Sequence, residues 1–277
     1  MGGETIAVSD SFDVAAYLAR IGLTPPPRPD LAALVRLHRG HTAAIPFENL
    51  DIQMGRAIHL DPAALQAALV ARRRGGYCFQ QNGLFRLALT AMGFEPRQRE
   101  ARVRRAAEGR ILTRTHMVQV VLVEGAEWLV DVGFGGEGIA EPVPLDGTAT
   151  VQDGWTYRIA REGRLHVLQR SLHDRWNDLY AFTDDDVYDV DYVVANWYTS
   201  THPESQFVLT LTAQRIVGDT RHVLRNLTYG VASRGGDWQT RTIARSELTP
   251  LLRDVYGLDV PDGARFRALD GVETTTR

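Results

Sequence analysis

The residue best suited to covalent chemistry is Cys78, the only cysteine in the 277-residue chain. It follows the glycine pair Gly75-Gly76 at the start of a predicted helix that extends to Met92. A thiol in the first turn of a helix faces unpaired backbone N–H groups and the positive end of the helix dipole, which favour the nucleophilic thiolate. The alternative is a buried cysteine that acts only as a small hydrophobic residue. The position of Cys78 therefore predicts either a nucleophile or an inert core residue.

A cysteine nucleophile needs a base, and the base needs an orienting partner; His116 and Asp131 are the candidates. His116 lies at the start of an apolar strand, and Asp131 interrupts the apolar run 129–132 on the next strand. A carboxylate in such a run is costly to bury unless something pairs with it. The structural alternatives are a satisfied core histidine and an aspartate that closes a turn at Gly133.

A plain hairpin between these two strands would keep His116 and Asp131 apart. If Gly125 and Ala126 are the two turn residues, Asp131 faces Val120, on the same face as His116 but about 13 Å along the strand. Contact between His116 and Asp131 would then require a bulge, another register or separate pairing. The residues alone leave these three possibilities open.

Other histidines and a glycine loop are weaker candidates. His41 and His202 lie in or near predicted loops from which an imidazole could approach a pocket, although most loop histidines are merely solvated. Residues 134–138 form a glycine loop after a strand but lack the full dinucleotide fingerprint, so a plain turn is favoured over phosphate binding. Arg74 could pair with Glu48 and brace the cysteine loop. The histidines interpreted as structural or surface residues are His38, His59, His166, His173 and His222.

The composition excludes several kinds of chemistry. All 31 basic residues are arginine, so lysine Schiff bases, pyridoxal-phosphate lysines and Walker-type phosphate loops are excluded. A single cysteine excludes an intramolecular disulfide and multi-cysteine metal centres, and no His-Glu-x-x-His spacing supports a metal site. The net charge of −3 gives no electrostatic argument for nucleic acid or an anionic membrane.

We expect a cytoplasmic protein in a reducing compartment. The first residues lack a basic region followed by an apolar run, Ile6 breaks the myristoylation pattern, and no stretch of about 20 apolar residues follows. With 44% apolar and 23% charged residues, the composition is that of an ordinary globular protein. The sequence thus predicts no nucleic-acid partner and no membrane partner, and it indicates no particular oligomeric state.

Helical patterns extend as far as Gly93, and short strands follow. The strands that could curl into a barrel in the middle third are predicted at 98–104, 115–123, 128–134, 157–159 and 165–169. The later elements are predicted as a connecting helix over 189–200, a strand over 207–211 and a capped helix over 246–257.

Five segments together resemble the arylamine N-acetyltransferases. They run in order over more than half of the chain: 45–50 (IPFENL), 74–83 (RGGYC and QNG), 115–117 (THM), 130–135 (VDVGFG) and 196–207 (NWYTSTHPESQF). The resemblance implies an α+β fold around a cysteine-protease-like catalytic core. Its three parts would be a helical bundle with the nucleophile at 1–95, a β-barrel with a connecting helix at 96–205 and an α/β lid at 206–277.

The resemblance also implies roles for individual residues. Cys78, His116 and Asp131 would form a catalytic triad, so by this likeness His116 and Asp131 do meet. Phe47 would line the acceptor pocket. The residues near the shared acetyl-donor cleft would be Phe134, Gly135 and Phe207.

The activity implied by the resemblance is acetyl transfer, as in xenobiotic metabolism. Acetyl-coenzyme A would be the co-substrate, with no metal, and the acceptor would be the nitrogen of an arylamine, arylhydrazine or hydrazide. The reaction would be ping-pong through an acetyl-cysteine. One alternative is an amide synthase that closes a macrolactam in antibiotic biosynthesis on the same fold. A thiol hydrolase and a binding protein with an inert cysteine are alternatives of other classes.

Overall fold

The computed structural model describes residues 12–26, 28–233 and 236–270. The expectations that the first residues carry no leader and no myristoylation signal lie outside these ranges. The α-helices are α1 (Val14–Arg20), α2 (Leu31–Ala44), α3 (Leu50–Gln53), α4 (Pro62–Leu65), α5 (Cys78–Ala91), α6 (Asp189–Thr201), α7 (Gln206–Leu209) and α8 (Arg245–Asp254). A π-helix, Gln66–Ala71, continues α4, and Arg267–Leu269 form a 3-10 turn. None of the helices in the described ranges is long and apolar enough to cross a membrane.

Within the described ranges the strands form two antiparallel sheets. They are β1 (Phe47–Glu48), β2 (Pro96–Val103), β3 (Arg114–Val123), β4 (Ala126–Val130), β5 (Val143–Pro144), β6 (Thr150–Gln152), β7 (Trp155–Glu162), β8 (Leu165–Leu172), β9 (Arg175–Phe182), β10 (Thr212–Val217), β11 (Thr220–Arg225), β12 (Thr228–Ser233) and β13 (Gln239–Thr242). One sheet has the order β5-β4-β3-β2-β9-β8-β7-β6 and curls into a nearly closed barrel. The other has the order β1-β10-β11-β12-β13.

The predicted α+β fold is confirmed, with helices first, the barrel next and a smaller mixed unit last. The short strand β1 pairs with β10, so the early helical part contributes one strand to the last sheet. The boundaries predicted at 95 and 205 stay a prediction.

Aspartate side chains begin three of the early helices. Asp13, Asp30 and Asp61 accept hydrogen bonds from the backbone N–H groups three residues later at 2.8–2.9 Å. Each bond satisfies a donor that the first helical turn leaves unpaired. The helices bury one core against the barrel, because Val121 of β3 and Val130 of β4 belong to the same apolar cluster as the helix residues. This packing places the start of α5 beside β3 and β4.

The hairpin of β3 and β4 has a different register from the predicted one. Its turn residues are Glu124 and Gly125, one residue earlier than predicted, with φ values of 54° and 80°. Two left-handed turn residues give the geometry that fits the twist of a two-residue hairpin. The ladder ends at the pair Gln119–Val130, and one further step in the same register puts Asp131 beside Val118, only two residues from His116 and on the same face. Of the three possibilities that the sequence left open, the structure shows another register, so the separation of about 13 Å for a Gly125-Ala126 turn does not apply.

Residues 207–211, predicted as a strand, instead form most of α7 and its connection to β10. The Ser205 side chain begins α7 by accepting a hydrogen bond from the Phe207 N–H at 3.3 Å. The Asn49 side chain donates to the carbonyls of Phe207 and Thr210 at 2.8 and 2.7 Å. These side-chain hydrogen bonds compete with a sheet ladder for the backbone, and the strand begins only at Thr212.

Candidate active site

Cys78 is the first residue of α5, as predicted, and its side chain is 2% exposed. The glycine loop before Cys78 packs closely against the Pro46 backbone, because a Cβ atom on Gly75 would lie 2.2 Å from the Pro46 carbonyl oxygen. Gly76 forms a parallel bridge with Phe47, which fixes the cysteine loop to β1. The thiol lies 3.6 Å from the Thr115 carbonyl oxygen, to which it can donate. The loop thus holds the sulfur between α5 and the start of β3.

The predicted pairing of Glu48 and Arg74 is present beneath the cysteine loop. Arg74 Nη2 donates to Glu48 Oε1 at 2.9 Å, and Arg74 Nη1 donates to Asp51 at 3.3 Å. Burial, the largest influence, raises the pKa of Glu48 even though the Arg74 charge opposes it. Because both side chains are largely buried, this pair braces the loop rather than facing a substrate.

The structure brings His116 and Asp131 together. His116 Nε2 lies 2.7 Å from Asp131 Oδ2, and both side chains are almost completely buried. The Cys78 sulfur is near enough to the ring to influence its charge, and Nδ1 is the ring nitrogen that the bond to Asp131 leaves free. Burial, the largest single influence, lowers the pKa of His116, but the carboxylate of Asp131 and the sulfur of Cys78 outweigh it and raise the pKa to about 10. The ring is therefore an imidazolium near neutral pH.

Asp131 is held by three further hydrogen bonds. Its Oδ1 accepts from Asn82 Nδ2 and from the Gly133 N–H, each at 2.9 Å, and its backbone N–H donates to His38 Nε2 at 3.3 Å. Burial, the largest influence, raises the pKa of Asp131, but the His116 charge and the hydrogen bonds from His116, Asn82 and Gly133 outweigh it and hold the pKa below its ordinary value. Asp131 therefore closes a turn at Gly133 and also pairs with His116, so both sequence interpretations apply.

Gly133 allows the Asp131 segment to approach α5 closely. A Cβ atom at Gly133 would lie 2.6 Å from Asn82 Nδ2 and 2.8 Å from the Cα atom of Cys78. Any side chain there would push the Asp131 turn away from Cys78. The contact between the strand end and the helix start thus depends on this glycine.

Sequence reasoning missed the roles of Asn82 and His38. Asn82 lies one turn after Cys78 on α5, and a buried amide at that spacing is a signal that points to the same site. It also donates to the Met117 carbonyl at 2.7 Å. His38 carries no comparable signal, because it lies 93 residues from Asp131 and is brought there only by tertiary packing.

The two rival histidines have other partners. His41 is completely buried; Tyr17 Oη lies 2.9 Å from its Nδ1 and Gln81 Oε1 lies 2.7 Å from its Nε2. Burial, the largest influence, lowers the pKa of His41 to about 3. His202 ends α6, stacks on Tyr198 with a centroid distance of 4.6 Å and accepts from a backbone N–H. These partners assign both histidines structural positions.

The predicted substrate residues fall into two groups around Cys78. Phe47 and Phe207 belong to the apolar cluster that contains Cys78, with their ring centroids 6.0 Å apart. Phe134 lies beside His116, with its ring centroid 5.2 Å from that of His116. Phe47, Phe134 and Gly135 share a pocket of about 20 Å³, enough for roughly one water.

The glycine loop at 134–138 is braced by the last sheet. Arg221 Nη1 donates to the carbonyls of Gly136 and Gly138, each at 2.7 Å. Gln214 Oε1 accepts from the Gly136 N–H at 2.5 Å. These hydrogen bonds hold the loop as a tight turn between the barrel and the last sheet. Within the described residues, no cluster of three or more His, Cys, Asp or Glu side chains could hold a metal ion.

The site can therefore perform acyl transfer through sulfur. It combines a thiol at a helix start, an imidazole next to it and a buried carboxylate that orients the imidazole. This arrangement is the general pattern by which a weak nucleophile is activated by a base and an orienting acid.

Comparison with known proteins gives a consistent family. The profile of a family described as N-acetyltransferase matches residues 30–265. The chain is 38% identical to an arylamine N-acetyltransferase of Mycolicibacterium smegmatis over 258 residues, which cover 91% of this chain and 94% of the relative.

Solved structures agree in fold over most of the chain. The arylamine N-acetyltransferase of Mycobacterium abscessus matches with a TM-score of 0.88 and 30% identity, covering 95% of each chain. The Mycobacterium marinum enzyme, solved in complex with CoA, matches with a TM-score of 0.84 and 36% identity, covering 88% of this chain and 92% of that one.

Proposed function

The chain belongs to the arylamine N-acetyltransferase family, and on this premise we propose that Cys78 carries the acetyl group from acetyl-coenzyme A to an acceptor amine. Cys78 is the nucleophile, His116 moves the protons and Asp131 orients and charges His116. The acceptors are arylamines, arylhydrazines and hydrazides. The observation that carries the proposal is the buried His116–Asp131 pair beside the only cysteine.

The first half-reaction transfers the acetyl group to sulfur. The raised pKa of His116, about 10, supports an imidazolium beside Cys78 before the donor binds, and a neighbouring imidazolium favours the thiolate form of a cysteine. The thiolate of Cys78 attacks the thioester carbonyl, a new carbon–sulfur bond forms, and the bond to the sulfur of coenzyme A breaks. The leaving thiolate takes the proton of His116. The products are acetyl-Cys78, neutral His116 and coenzyme A.

The second half-reaction transfers the acetyl group to nitrogen. A neutral aromatic amine attacks the acetyl-Cys78 carbonyl, and the carbon–sulfur bond breaks. Neutral His116 takes the proton that the amine loses, which regenerates the imidazolium–thiolate pair. In this proposal Phe47 lies beside the acceptor ring. The donor cleft contains Phe134, Gly135 and Phe207.

The test is to isolate the first half-reaction. We expect incubation with acetyl-coenzyme A alone to give one acetyl adduct by intact-protein mass spectrometry, and we expect 4-anisidine to remove it. Cys78→Ser should form no thioester adduct that this amine discharges. An unmodified wild-type protein, or an adduct of equal yield in Cys78→Ala, would contradict the proposal.

Two controls separate the alternatives. His202→Gln changes a histidine that stacks on Tyr198 away from the His116–Asp131 pair, and it should form the adduct at the wild-type rate. Discharge by water at the rate seen with amine would instead indicate a thiol hydrolase. Failure to accept acetyl-coenzyme A, with acylation by a carrier-bound acyl chain, would indicate an amide synthase.

A further inference from the structure

The outer face of α6 carries an apolar stripe that the described residues do not cover. Val190, Val193, Val194 and Trp197 recur at helical spacing and are 68%, 58%, 68% and 64% exposed, and Tyr188 beside them is 65% exposed. We call these five residues the α6 stripe. Single exposed apolar residues are ordinary, but a contiguous stripe on one helix face indicates a surface that another molecule covers.

The opposite face of α6 already provides the contacts that hold the helix in the monomer. Tyr192 and Ala195 belong to the apolar cluster that contains Cys78. Asn196 accepts a hydrogen bond from the Tyr77 hydroxyl and donates to the Ile58 carbonyl at 3.0 Å. The α6 stripe therefore adds nothing to the core of one copy, and its apolar surface is available to a partner.

We propose that the α6 stripe is the interface of a two-fold symmetric dimer in which two α6 helices pack antiparallel. In a two-fold interface the same patch must be complementary to itself. With the axis between Val193 and Val194, the small Val190 of each copy faces the large Trp197 of the other. A parallel arrangement would pair Trp197 with Trp197 and Val190 with Val190, so two large side chains would hold the helices apart and leave a gap between the small ones.

The charges at the two ends of α6 also favour the antiparallel arrangement. The N-terminal end carries aspartates at positions 184, 185, 186, 189 and 191. Asp184, Asp185 and Asp189 pair with arginines of the same copy, so the acidic charge there rests mainly on Asp186 and Asp191. The C-terminal end has one carboxylate, Glu204, and one histidine, His202. Antiparallel packing separates the two acidic ends, whereas parallel packing would bring them together at a cost in binding free energy.

The size of the stripe predicts a weak dimer. Taking about 200 Å² for a fully exposed aromatic side chain and somewhat less for valine, the five exposed fractions amount to roughly 500 Å² per copy. Two copies would then bury about 1,000 Å², at the lower limit for specific protein interfaces. We therefore expect a concentration-dependent dimer with a dissociation constant on the order of micromolar.

Sedimentation velocity of the full chain over a range of concentrations tests this proposal. We expect the mass to rise from monomer to dimer, and we expect Val193→Glu to raise the dissociation constant at least roughly tenfold, since two like charges would meet at the axis. Val151→Glu is the matched control, because Val151 is 71% exposed on β6 and lies outside the stripe. This variant should dimerise like the wild type.

Mixing variants gives a test that misfolding cannot imitate. Val193→Glu and Val193→Lys should each be monomeric alone and should form a heterodimer when mixed. A wild-type chain that stays monomeric at the highest concentration, a dimer that survives Val193→Glu, or a mixture that does not associate would overturn the proposal. The measured quantity is mass, so the outcome is independent of the acetyl-transfer function.

Discussion

His41 is completely buried and His116 almost completely, yet the protein holds the two rings in opposite charge states. The pKa of His116 is raised to about 10, whereas that of His41 is lowered to about 3. Burial is the largest single influence on both rings, and on both it disfavours the cation. The difference lies in the partner: His116 faces the carboxylate of Asp131, while His41 faces a hydroxyl and an amide oxygen. A buried charge thus depends on one oppositely charged neighbour.

His38 shows that closeness to Asp131 is not sufficient. Its Nδ1 lies 2.9 Å from the Ala140 carbonyl oxygen, which can only accept, so Nδ1 carries the proton. Its Nε2 accepts from the backbone N–H of Asp131 and does not contact the carboxylate. If His38 were protonated, its Nε2–H would point at the backbone N–H of Asp131, and two donors would face each other. Burial, the largest influence, lowers the pKa of His38 to about 4, and the ring serves as a neutral acceptor.

Asp131→Asn would remove the main cause of the pKa difference between His116 and His41. Burial of His116 would remain, opposed only by the sulfur of Cys78, so we expect the pKa of His116 to fall well below its value of about 10. By comparison with other catalytic triads, the rate of acetyl-Cys78 formation should fall by about 10³–10⁴-fold. Stopped-flow kinetics and histidine NMR titration measure the two effects.

Asp153→Asn is the control for this prediction, since Asp153 pairs with Arg39 at 3.1 Å in a partly exposed salt bridge. It should leave the acetylation rate nearly unchanged. A rate for Asp131→Asn within tenfold of wild type would show that the carboxylate does not control His116.

His116 should make the free energy of unfolding depend on pH above 6.5, whereas His41 and His38 should do so below 6.5. His116 binds its proton more tightly when folded, so its contribution is fully present below pH 6.5 and is lost as pH rises toward 10. His41 and His38 bind protons less tightly when folded, so stability is lost as pH falls from 6.5 toward 4 and below. Each group changes the free energy of unfolding by about 1.4 kcal/mol per pH unit within its window.

Urea denaturation at a series of pH values measures these slopes. His116→Gln should lose the alkaline slope but keep the acid slope. His41→Gln should reduce the acid slope by about one proton and leave the alkaline slope unchanged. The comparison fails if both variants alter the same side of the profile.

The sequence predicted those features of the site that local chemistry determines. The glycine pair and the helix start place Cys78, and the lone carboxylate in an apolar run identifies Asp131 as a group that needs a partner. The sequence left the hairpin register open, because Glu124-Gly125 and Gly125-Ala126 are both plausible turns and neither is the strong Asn-Gly or Asp-Gly signal. Moving the turn by one residue shifts the pairing between the two strands by two residues.

The misplaced strand and the unrecognised His38 have a different cause. The apolar residues around Phe207 suit a strand, but Ser205 and Asn49 hold that backbone in another conformation. Asn49 lies more than 150 residues earlier in the chain. Contacts at such separations exist only after the helices pack on the barrel, so no local pattern could indicate them.

The smallest predicted effect concerns His38. It shows whether this residue only packs in the core or also positions Asp131. The neutral imidazole of His38 donates through Nδ1 to the Ala140 carbonyl and accepts through Nε2 from the Asp131 N–H, so one ring serves both partners. His38→Asn keeps a donor for the Ala140 carbonyl, whereas His38→Gln keeps an acceptor for the Asp131 N–H. Each variant leaves one buried group unpaired, so each should lower the free energy of unfolding by about 1–3 kcal/mol.

The acetylation rate should distinguish the two His38 variants even though their stabilities are similar. If His38 positions Asp131, His38→Asn lowers the rate constant for acetyl-Cys78 formation more than His38→Gln, because only His38→Asn releases the backbone of Asp131. The pKa of His116, followed by NMR, should fall further in His38→Asn for the same reason. Equal rate constants in the two variants would assign His38 to packing alone, and the orientation of Asp131 would then rest on Asn82 and Gly133.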